Sequence, residues 1–336
     1  MKKRQRAVLM IVTFFILSAA YFYNQVGPYD KNSGDEILVE IPKGSSLYKI
    51  SDILFENNLI KSKLFFINLS KITNMDRNIQ AGTYKIPQYF SNKDILKLLN
   101  SGDVYRDFVT VTIPEGFELV QIAQRLSEQG LVNREKFIEL ANNVEIFRKE
   151  FEFLNEEDII SLEGYLFPDT YFIDKSYSEK TIIRIMLNRF KEIYSDEYKA
   201  RQKELGLSLN ELITMSSIIE REAQVKNERV LISAVFHNRI NIDMPLQSCA
   251  TVQYVIGERK PVLSYNDIQI DSPYNTYKNK GLPPGPIASP GEAAIKAALY
   301  PADVNYLYFV AKKDGSHSFA TNYSDHLKNR RENLGR

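Results

Sequence analysis

Two stretches of this chain, seventy-two residues apart, are versions of each other. VEIPKGSSLYKISDILFENNLIKSKLFF begins at Val39 and VTIPEGFELVQIAQRLSEQGLVNREKFI begins at Val111. They agree at Val39/Val111, Ile41/Ile113, Pro42/Pro114, Gly44/Gly116, Leu47/Leu119, Ile50/Ile122, Leu54/Leu126, Glu56/Glu128, Leu59/Leu131 and Phe65/Phe137. Each copy reads as a short alternating strand, a Pro-x-Gly turn and a helix with Leu and Ile at three- and four-residue spacing. Phe65 and Phe137 then open a second helix. Any fold for this chain must therefore hold one strand–helix unit twice, and two copies are too few for a solenoid. Ala81 to Ile86, AGTYKI, reads as a return strand for the first copy, and Lys93 to Leu99 as a closing helix. The second copy runs on without a break and is assigned to the downstream domain as its opening segment.

Strand, helix, helix, strand is the plan of a LysM-like module, a small unit often found on glycan-binding proteins, and the first copy resembles it in topology. A generic strand–helix unit duplicated for packing alone fits the same pattern.

The chain has 336 residues, enough for two domains or one domain and an appendage. Lys+Arg number 43 and Asp+Glu 42, which argues against a nucleic-acid binder acting through bulk charge. Lys2, Lys3, Arg4 and Arg6 precede an uncharged run from Ala7 to Tyr23. Its length is at the short end of a membrane span, and the basic cluster predicts the N-terminus inside. Ser18-Ala19-Ala20 also offers a signal-peptide cleavage pattern. Tyr21, Phe22 and Tyr23, as an interfacial aromatic belt, favour a retained anchor. In either case the chain beyond Asn24 is exported. A lone cysteine, Cys249, forms no internal disulfide and is compatible with an oxidising compartment.

Ser208 to Val225 reads as the central helix. Ser208 and Glu211 form a capping box. Leu209, Leu212, Ile213, Met215, Ser216, Ile219 and Ala223 share one face, with Asn210, Thr214, Ser217 and Arg221 on the other. Glu220 falls on the apolar face. A carboxylate taken out of water favours its neutral form, and a neutral carboxyl near pH 7 can act as a general acid. An internal ion pair with an arginine would explain the same position. Glu222 lies at the edge of the apolar arc.

Around this helix lie SLEGYLFPDTY (161–171), read as an aromatic loop suited to stacking on sugars or as a packed connection, then VFHNR (235–239) and MPLQSCATV (244–252). SPYNTYKNKGLPPGP (272–286) is too rich in Pro, Gly and Asn to be a regular element, and so long an ordered loop is usually functional. Gly291 to Leu299 reads as a helix of small residues, Tyr306 to Val310 as a buried strand, and Gly315 to Phe319 as a tight turn. The sequence has no His-Glu-x-x-His, no Gly-x-Ser-x-Gly elbow and no Gly-rich phosphate loop. His237, His317 and His326 are not spaced as a metal site.

These motifs, LEGYLFPDTY, SSIIERE, VFHNR, MPLQS..TV, SPYNTY...GLPPGPI and YLYFVA.....H.F, resemble in kind and in order those of the endolytic murein transglycosylases, the MltG or YceG-like family. The resemblance runs from the N-terminal anchor to the C-terminus. It implies an α+β chain: a cytoplasmic end over 1–6, a transmembrane helix over 7–23, a linker over 24–36, a LysM-like module over 37–105 and a catalytic domain over 106–336. It implies a single-pass protein of the cytoplasmic (inner) membrane whose catalytic domain faces the periplasm, with peptidoglycan glycan strands as substrate, cell-wall synthases (penicillin-binding proteins) as partners, and no cofactor or metal. The reaction implied cleaves the bond between N-acetylmuramic acid and N-acetylglucosamine. One carboxyl protonates the glycosidic oxygen, and the sugar's own 6-hydroxyl closes on the anomeric carbon to leave a 1,6-anhydro end. The first Glu of SIIERE carries that role in the family, which is Glu220 here. The resemblance also suggests cleft roles for Glu163, Gln247, Asn275 and Tyr277. Two departures stand out: Cys249-Ala250 where the family has Asp-Pro, and His237 where it has an aromatic or aliphatic residue. The competing expectation is a non-catalytic glycan-binding scaffold for cell-wall synthases.

Overall fold

A computed structural model describes residues 2–260 and 262–334. The chain divides into two compact units, Met1–Asp107 and Phe108–Arg336.

The first unit begins with α1 (Lys2–Val26). Its Val8–Val26 stretch has a mean hydropathy of 1.5 and none of it is buried, so α1 is long and apolar enough to cross a membrane. Met1, and the side chains of Lys2, Lys3, Arg4 and Arg6 on which the expected orientation rests, lie outside the described residues. Then come β1 (Glu36–Ile41), α2 (Leu47–Glu56), α3 (Lys63–Ile72), β2 (Gly82–Pro87) and α4 (Asn92–Ser101). β1 and β2 pair antiparallel, with Val39 opposite Tyr84. Ser91 and Asp94 close a capping box at the start of α4. Val39, Ile41, Ile50, Leu54 and Leu59, all repeat positions, are buried in one core with Tyr84, Ile95 and Leu99.

The second unit opens with the other copy: β3 (Phe108–Thr112), α5 (Leu119–Glu128) and α6 (Arg134–Ala141). Val111, Ile113, Ile122, Leu126 and Leu131 are buried as their counterparts are. A short α7 (Glu145–Arg148) comes next, then β4 (Thr170–Asp174) and α8 (Glu179–Ile193). β4 pairs antiparallel with β3, Val111 opposite Tyr171. The duplication is thus larger than the sequence match shows. Thr83-Tyr84-x-Ile86 reappears eighty-seven residues later as Thr170-Tyr171-x-Ile173. Tyr84 Oη donates to the carbonyl of Gln80 at 2.9 Å and Tyr171 Oη to that of Phe167 at 2.5 Å, each four residues back. The same offset carries helix cap Ser91 to Ser178 and buried Ile95, Leu96 and Leu99 to Ile182, Ile183 and Met186. The second copy is therefore a closed strand–helix–helix–strand–helix unit with a long insertion before its return strand, where the sequence pattern alone leaves it open-ended.

Phe65 is not the counterpart of Phe137. The second copy has one residue fewer between its conserved Leu and the next helix cap, Asn133 against Ser62. Counted from the caps, Phe66 matches Phe137, and these two are fully buried. Phe65 instead meets Tyr21 and Phe22 edge-on, with ring centroids 5.9 and 5.2 Å away.

The chain continues through α9 (Asp196–Leu205), α10 (Leu209–Glu222), α11 (Arg229–Asn241), α12 (Cys249–Ile256), α13 (Glu292–Leu299), β5 (Tyr308–Ala311), β6 (His317–Ala320) and α14 (Tyr323–Leu334). The fold is α+β; among the described residues its strands form three two-stranded antiparallel ladders. β5 is only partly buried, not the core strand expected, because its single partner is β6.

α10 is the central helix and carries the Ser208–Glu211 capping box, but it ends at Glu222, before Val225. Its expected polar face is not exposed: Asn210, Thr214 and Ser217 are buried, since α11, α12 and α13 pack around it. Asn210 and both serines find partners, while the Thr214 hydroxyl is buried with none. Ser216 and Ser217 donate to carbonyls within the helix, Ser217 Oγ also accepts from the Ile287 amide, and Asn210 donates to the Pro284 carbonyl.

Candidate active site

Much of what the motifs contribute is framework. Tyr165, Leu166 and Phe167 are buried in the main core, so SLEGYLFPDTY is a packed connection whose end is β4, not a sugar-stacking loop. Glu163 is 6% exposed, and both its oxygens accept from the Leu119 amide, 3.0 and 3.1 Å, at the free N-terminus of α5. Tyr254 Oη donates to it at 3.4 Å. Desolvation dominates and pushes the Glu163 carboxyl up to about 8. Asn275 is fully buried; its amide donates to the Ile268 and Ile270 carbonyls and its oxygen accepts from the Tyr277 amide, which folds the 272–286 loop. Neither Glu163 nor Asn275 presents a free polar group at the cleft, where the sequence places them.

VFHNR is a clamp. His237 Nε2 lies 2.9 Å from the Ala298 carbonyl, and burial pushes its imidazole down. Asn238 donates to the carbonyls of Val304 and Tyr306, and Arg239 to those of Leu307, Pro245 and Leu246. The segment before α12 is thereby held in place. His317 is buried against Glu228, Nδ1 to Oε2 2.7 Å.

The chemistry gathers at the C-terminal end of α10, where two carboxylates each meet the start of another helix. Glu222 accepts from Ser248 Oγ and from the Ala250 amide at 3.3 Å, in the first turn of α12. Beside it are Cys249, whose sulfur lies 3.0 Å from Tyr277 Oη, and Gln247, exposed and held at φ +51 with its amide on the Thr276 carbonyl. A non-glycine residue in the left-handed region costs about 1–3 kcal/mol, and such strain clusters at functional sites. Desolvation, then the charge of Glu222, pushes the Cys249 thiol up, which disfavours the nucleophilic thiolate. Burial and the neighbouring Cys249 likewise push the Tyr277 phenol up. Gln247 and Tyr277 are thus grouped with Glu222, not with Glu220.

Glu220 faces the other way. One oxygen accepts from Arg229 Nη2 at 2.9 Å, the other from the Gly291 amide at 3.1 Å, at the N-cap of α13. Its side chain is 6% exposed. The expected isolation on an apolar face is therefore not found. Arginine and the positive end of a helix supply this carboxylate with donors, the ion-paired arrangement that the sequence also allowed.

Three further residues of this site are not singled out by the sequence: Arg229, Gly291 and Glu115. Glu115 sits in the Pro-x-Gly turn of the second copy, where the first copy has Lys43. The turn has the same form in both copies, Gly44 at φ +80 and Gly116 at φ +75. In unit 2 it is pinned by paired amides, Gly116 to the Ser289 carbonyl and Ser289 to the Phe117 carbonyl, both 2.8 Å. Arg221 bonds Glu118 at 2.8 Å beside it. Glu115, Lys226, Arg229, Lys296 and Tyr300 line an open cavity of about 340 Å³. A larger depression in unit 2, about 770 Å³, is walled by Arg148, Glu152, Lys191 and Lys199 and carries none of the candidate site residues. Among the described residues no cluster of His, Cys, Asp and Glu could hold a metal ion.

Comparisons with known proteins agree with one another. The profile of the YceG-like family matches residues 39–332. The endolytic murein transglycosylase of Bacillus subtilis is 37% identical over 325 residues, covering 93% of this chain and 89% of that protein. The endolytic murein transglycosylase of Streptococcus pneumoniae strain D39 is 36% identical over 94% of this chain, which spans 61% of that longer protein. A 2.6 Å crystal structure of a YceG-like protein from Listeria monocytogenes superposes with a TM-score of 0.62 at 36% identity, covering 88% of this chain and 99% of that one. With the profile spanning most of the first unit and nearly all of the second, the chain belongs to the YceG-like family.

Proposed function

We propose that this protein is an endolytic lytic transglycosylase of peptidoglycan, anchored in the cytoplasmic membrane by α1 with its N-terminus inside. It cuts nascent glycan strands between N-acetylmuramic acid and N-acetylglucosamine and so terminates their elongation. The observation that carries the reading is the convergence on Glu220: a carboxylate held by the Gly291 amide at the N-cap of α13 and by Arg229, which itself lines an open cavity. The names of the relatives point to the same activity.

In this reaction the glycosidic oxygen takes a proton as its bond to the anomeric carbon breaks. The 6-hydroxyl of the same sugar attacks that carbon and releases its own proton. Being intramolecular, the nucleophile has a high effective concentration, and no positioned water is needed. A fixed carboxylate stabilises the positive charge that develops on the ring and receives the hydroxyl's proton. Glu220 fills both roles: as the acid it gives its proton to the leaving glycosidic oxygen and, then ionised, it receives the hydroxyl's proton. Gln247 and Tyr277 are assigned to hold the flanking sugars. Unit 1 is the LysM-like, glycan-holding module, supported by its strand–helix–helix–strand plan and its separate core. Cell-wall synthases of the penicillin-binding class, which extend the strands being cut, are the partners proposed.

Digestion of purified glycan strands with wild type and Glu220→Gln, read by mass spectrometry, tests the assignment. Wild type is expected to leave 1,6-anhydro ends, and Glu220→Gln to lose at least about 100-fold in rate with an unchanged melting temperature. A glycan-binding scaffold would leave no new ends with either protein. A Glu220→Gln variant as active as wild type would move the role to Glu222.

A further inference from the structure

Unit 1 holds a cavity that the cleavage reaction does not use, at the end of α1. The apolar stretch Val8–Val26 is 19 residues long. At about 1.5 Å per residue it covers about 28 Å, close to the hydrocarbon thickness of a bilayer. Pro28 stops the helix there, so residues 23–28 stand where acyl chains give way to headgroups. Phe65 fixes α3 to this end through its contacts with Tyr21 and Phe22. Three segments then surround a cavity of about 330 Å³: the end of α1 with the chain after it, the α2–α3 connection and the start of α4. Tyr23, Val26 and Leu69 give it apolar walls, and each segment brings one lysine, Lys31, Lys61 and Lys93. Among the described residues no acid lines it. Lys61 Nζ donates to the Asn24 carbonyl at 3.3 Å and to Asn24 Oδ1 at 3.2 Å, which offsets the negative end of the α1 dipole. Lys63 and Lys85 of the same unit pair with Asp52 and Glu36; among the described residues none of the three cavity lysines has a carboxylate partner. The acids nearest in sequence are engaged elsewhere, Asp30 with the Asn32 amide and Asp94 with Ser91 in the capping box.

We propose that this cavity binds the phosphate of a membrane lipid in the leaflet from which α1 emerges. The proposal rests on the reading of α1 as a membrane anchor and is independent of the catalytic assignment. Lysine ammonium groups are point-charge partners for phosphate, and three of them around an acid-free cavity leave a positive charge for an anion to neutralise. The lipid's chains lie along α1, whose apolar side chains from Val8 to Tyr23 are uncovered, while its phosphate sits among Lys31, Lys61 and Lys93. A soluble anion lacks the first contact and an uncharged lipid the second. The chemistry required, a phosphate ester at the end of a hydrocarbon chain, is supplied by an anionic phospholipid or by the diphosphate of an isoprenoid lipid carrier. The second copy of the repeat, with no apolar helix before it, lacks the feature. Counted back from the helix caps Ser62 and Asn133, the place of Lys61 is taken there by Val132. The bound lipid holds unit 1 to the headgroup plane.

Native mass spectrometry of the full-length protein in a neutral maltoside detergent tests this. The probes are dioctanoyl phosphatidylglycerol, farnesyl diphosphate, dioctanoylglycerol and inorganic diphosphate. One phosphate-bearing lipid per chain is expected, held at least about tenfold more tightly than dioctanoylglycerol or inorganic diphosphate. The tighter of phosphatidylglycerol and farnesyl diphosphate identifies the source. Binding is expected to be lost in the triple variant Lys31→Gln/Lys61→Gln/Lys93→Gln. It is expected to persist in Lys43→Gln/Lys49→Gln/Lys71→Gln, which removes the same charge from unit 1 outside the cavity. Because Lys61→Gln also removes the bond to Asn24, Lys31→Gln/Lys93→Gln is measured beside it and should weaken binding by about tenfold or more. Unchanged binding in either cavity variant, equal loss in the control variant, or binding of dioctanoylglycerol or inorganic diphosphate as tight as that of the phosphate-bearing lipids overturns the site. A shortened, soluble protein recovered from cells would instead overturn the anchor reading. Full-length protein that stays in the membrane fraction and holds no lipid overturns the site alone.

Discussion

Glu163 is a carboxyl that works by staying neutral. Its folded value of about 8 lies far above the ordinary glutamate value of about 4.3 that it regains on unfolding. The stability it contributes is therefore complete below the unfolded value and is lost as pH rises toward and through 8, at up to about 1.4 kcal/mol per pH unit. Urea unfolding at pH 5, 6.5 and 8 is expected to show stability falling across that window, with a clearly flatter fall for Glu163→Gln. Gln keeps an oxygen for the Leu119 amide; equal slopes for the two proteins would show that Glu163 is already ionised in the folded chain. Single residues are unevenly legible in the sequence. Glu220 stands out because a carboxylate on an apolar stripe violates the helix pattern. Arg229 and Gly291 do not, since nothing local distinguishes an arginine at a helix start or a glycine at an N-cap from any other. The one signal for Glu115 is the mismatch with Lys43 inside an otherwise matching turn. Asn275 and Glu163 are misplaced by sequence because a polar residue in a motif reads as a ligand group until its partners, backbone amides and carbonyls far along the chain, are known.

Among the elements, α13 is short and its start is crowded. Gly291 has an ordinary φ of −76, so glycine is required there by close approach and not by backbone strain. Gly291→Ala is expected to displace the Glu115 side chain while leaving the Glu220 bond to the residue's amide. The outcome to look for is a fall of about tenfold or more in anhydro-end release, as the displaced Glu115 side chain crowds the cavity it lines, with a melting temperature near wild type. Full activity in Gly291→Ala would show that the packing of Glu115 on α13 has no bearing on the chemistry. Helices and strands with clear periodicity are legible: the repeat helices, α10, and α4 all fall where the pattern puts them, within a few residues. Two things are not. β4 is separated from its partner by the insertion, so its Thr-Tyr-x-Ile match to β2 lies off the register of the first half of the repeat. The polar side of α10 reads as solvent-facing because serines that bond to their own helix need no water, and periodicity alone does not show this.

For the molecule as a whole, α1 is the feature with the plainest consequence. With its apolar side chains uncovered, it is expected to keep the full-length protein in the membrane fraction, released by detergent and not by salt. A soluble, shortened form beginning near Tyr21 would identify the segment as a cleaved signal instead. The two copies of the repeat also permit a polymer argument about how one of them came to hold chemistry. In the first unit the strands that pair are joined by forty residues, in the second by fifty-seven. Closing a flexible loop costs entropy only as the logarithm of its length, so the longer connection is dearer by about 0.3 kcal/mol, well below the net worth of one hydrogen bond. A ladder already sealed by its own tyrosine, Tyr84 in one copy and Tyr171 in the other, can therefore lengthen the chain between its strands with almost no loss of stability. Divergence of one member of a duplicated pair, with the other left compact, is what that small entropic difference allows.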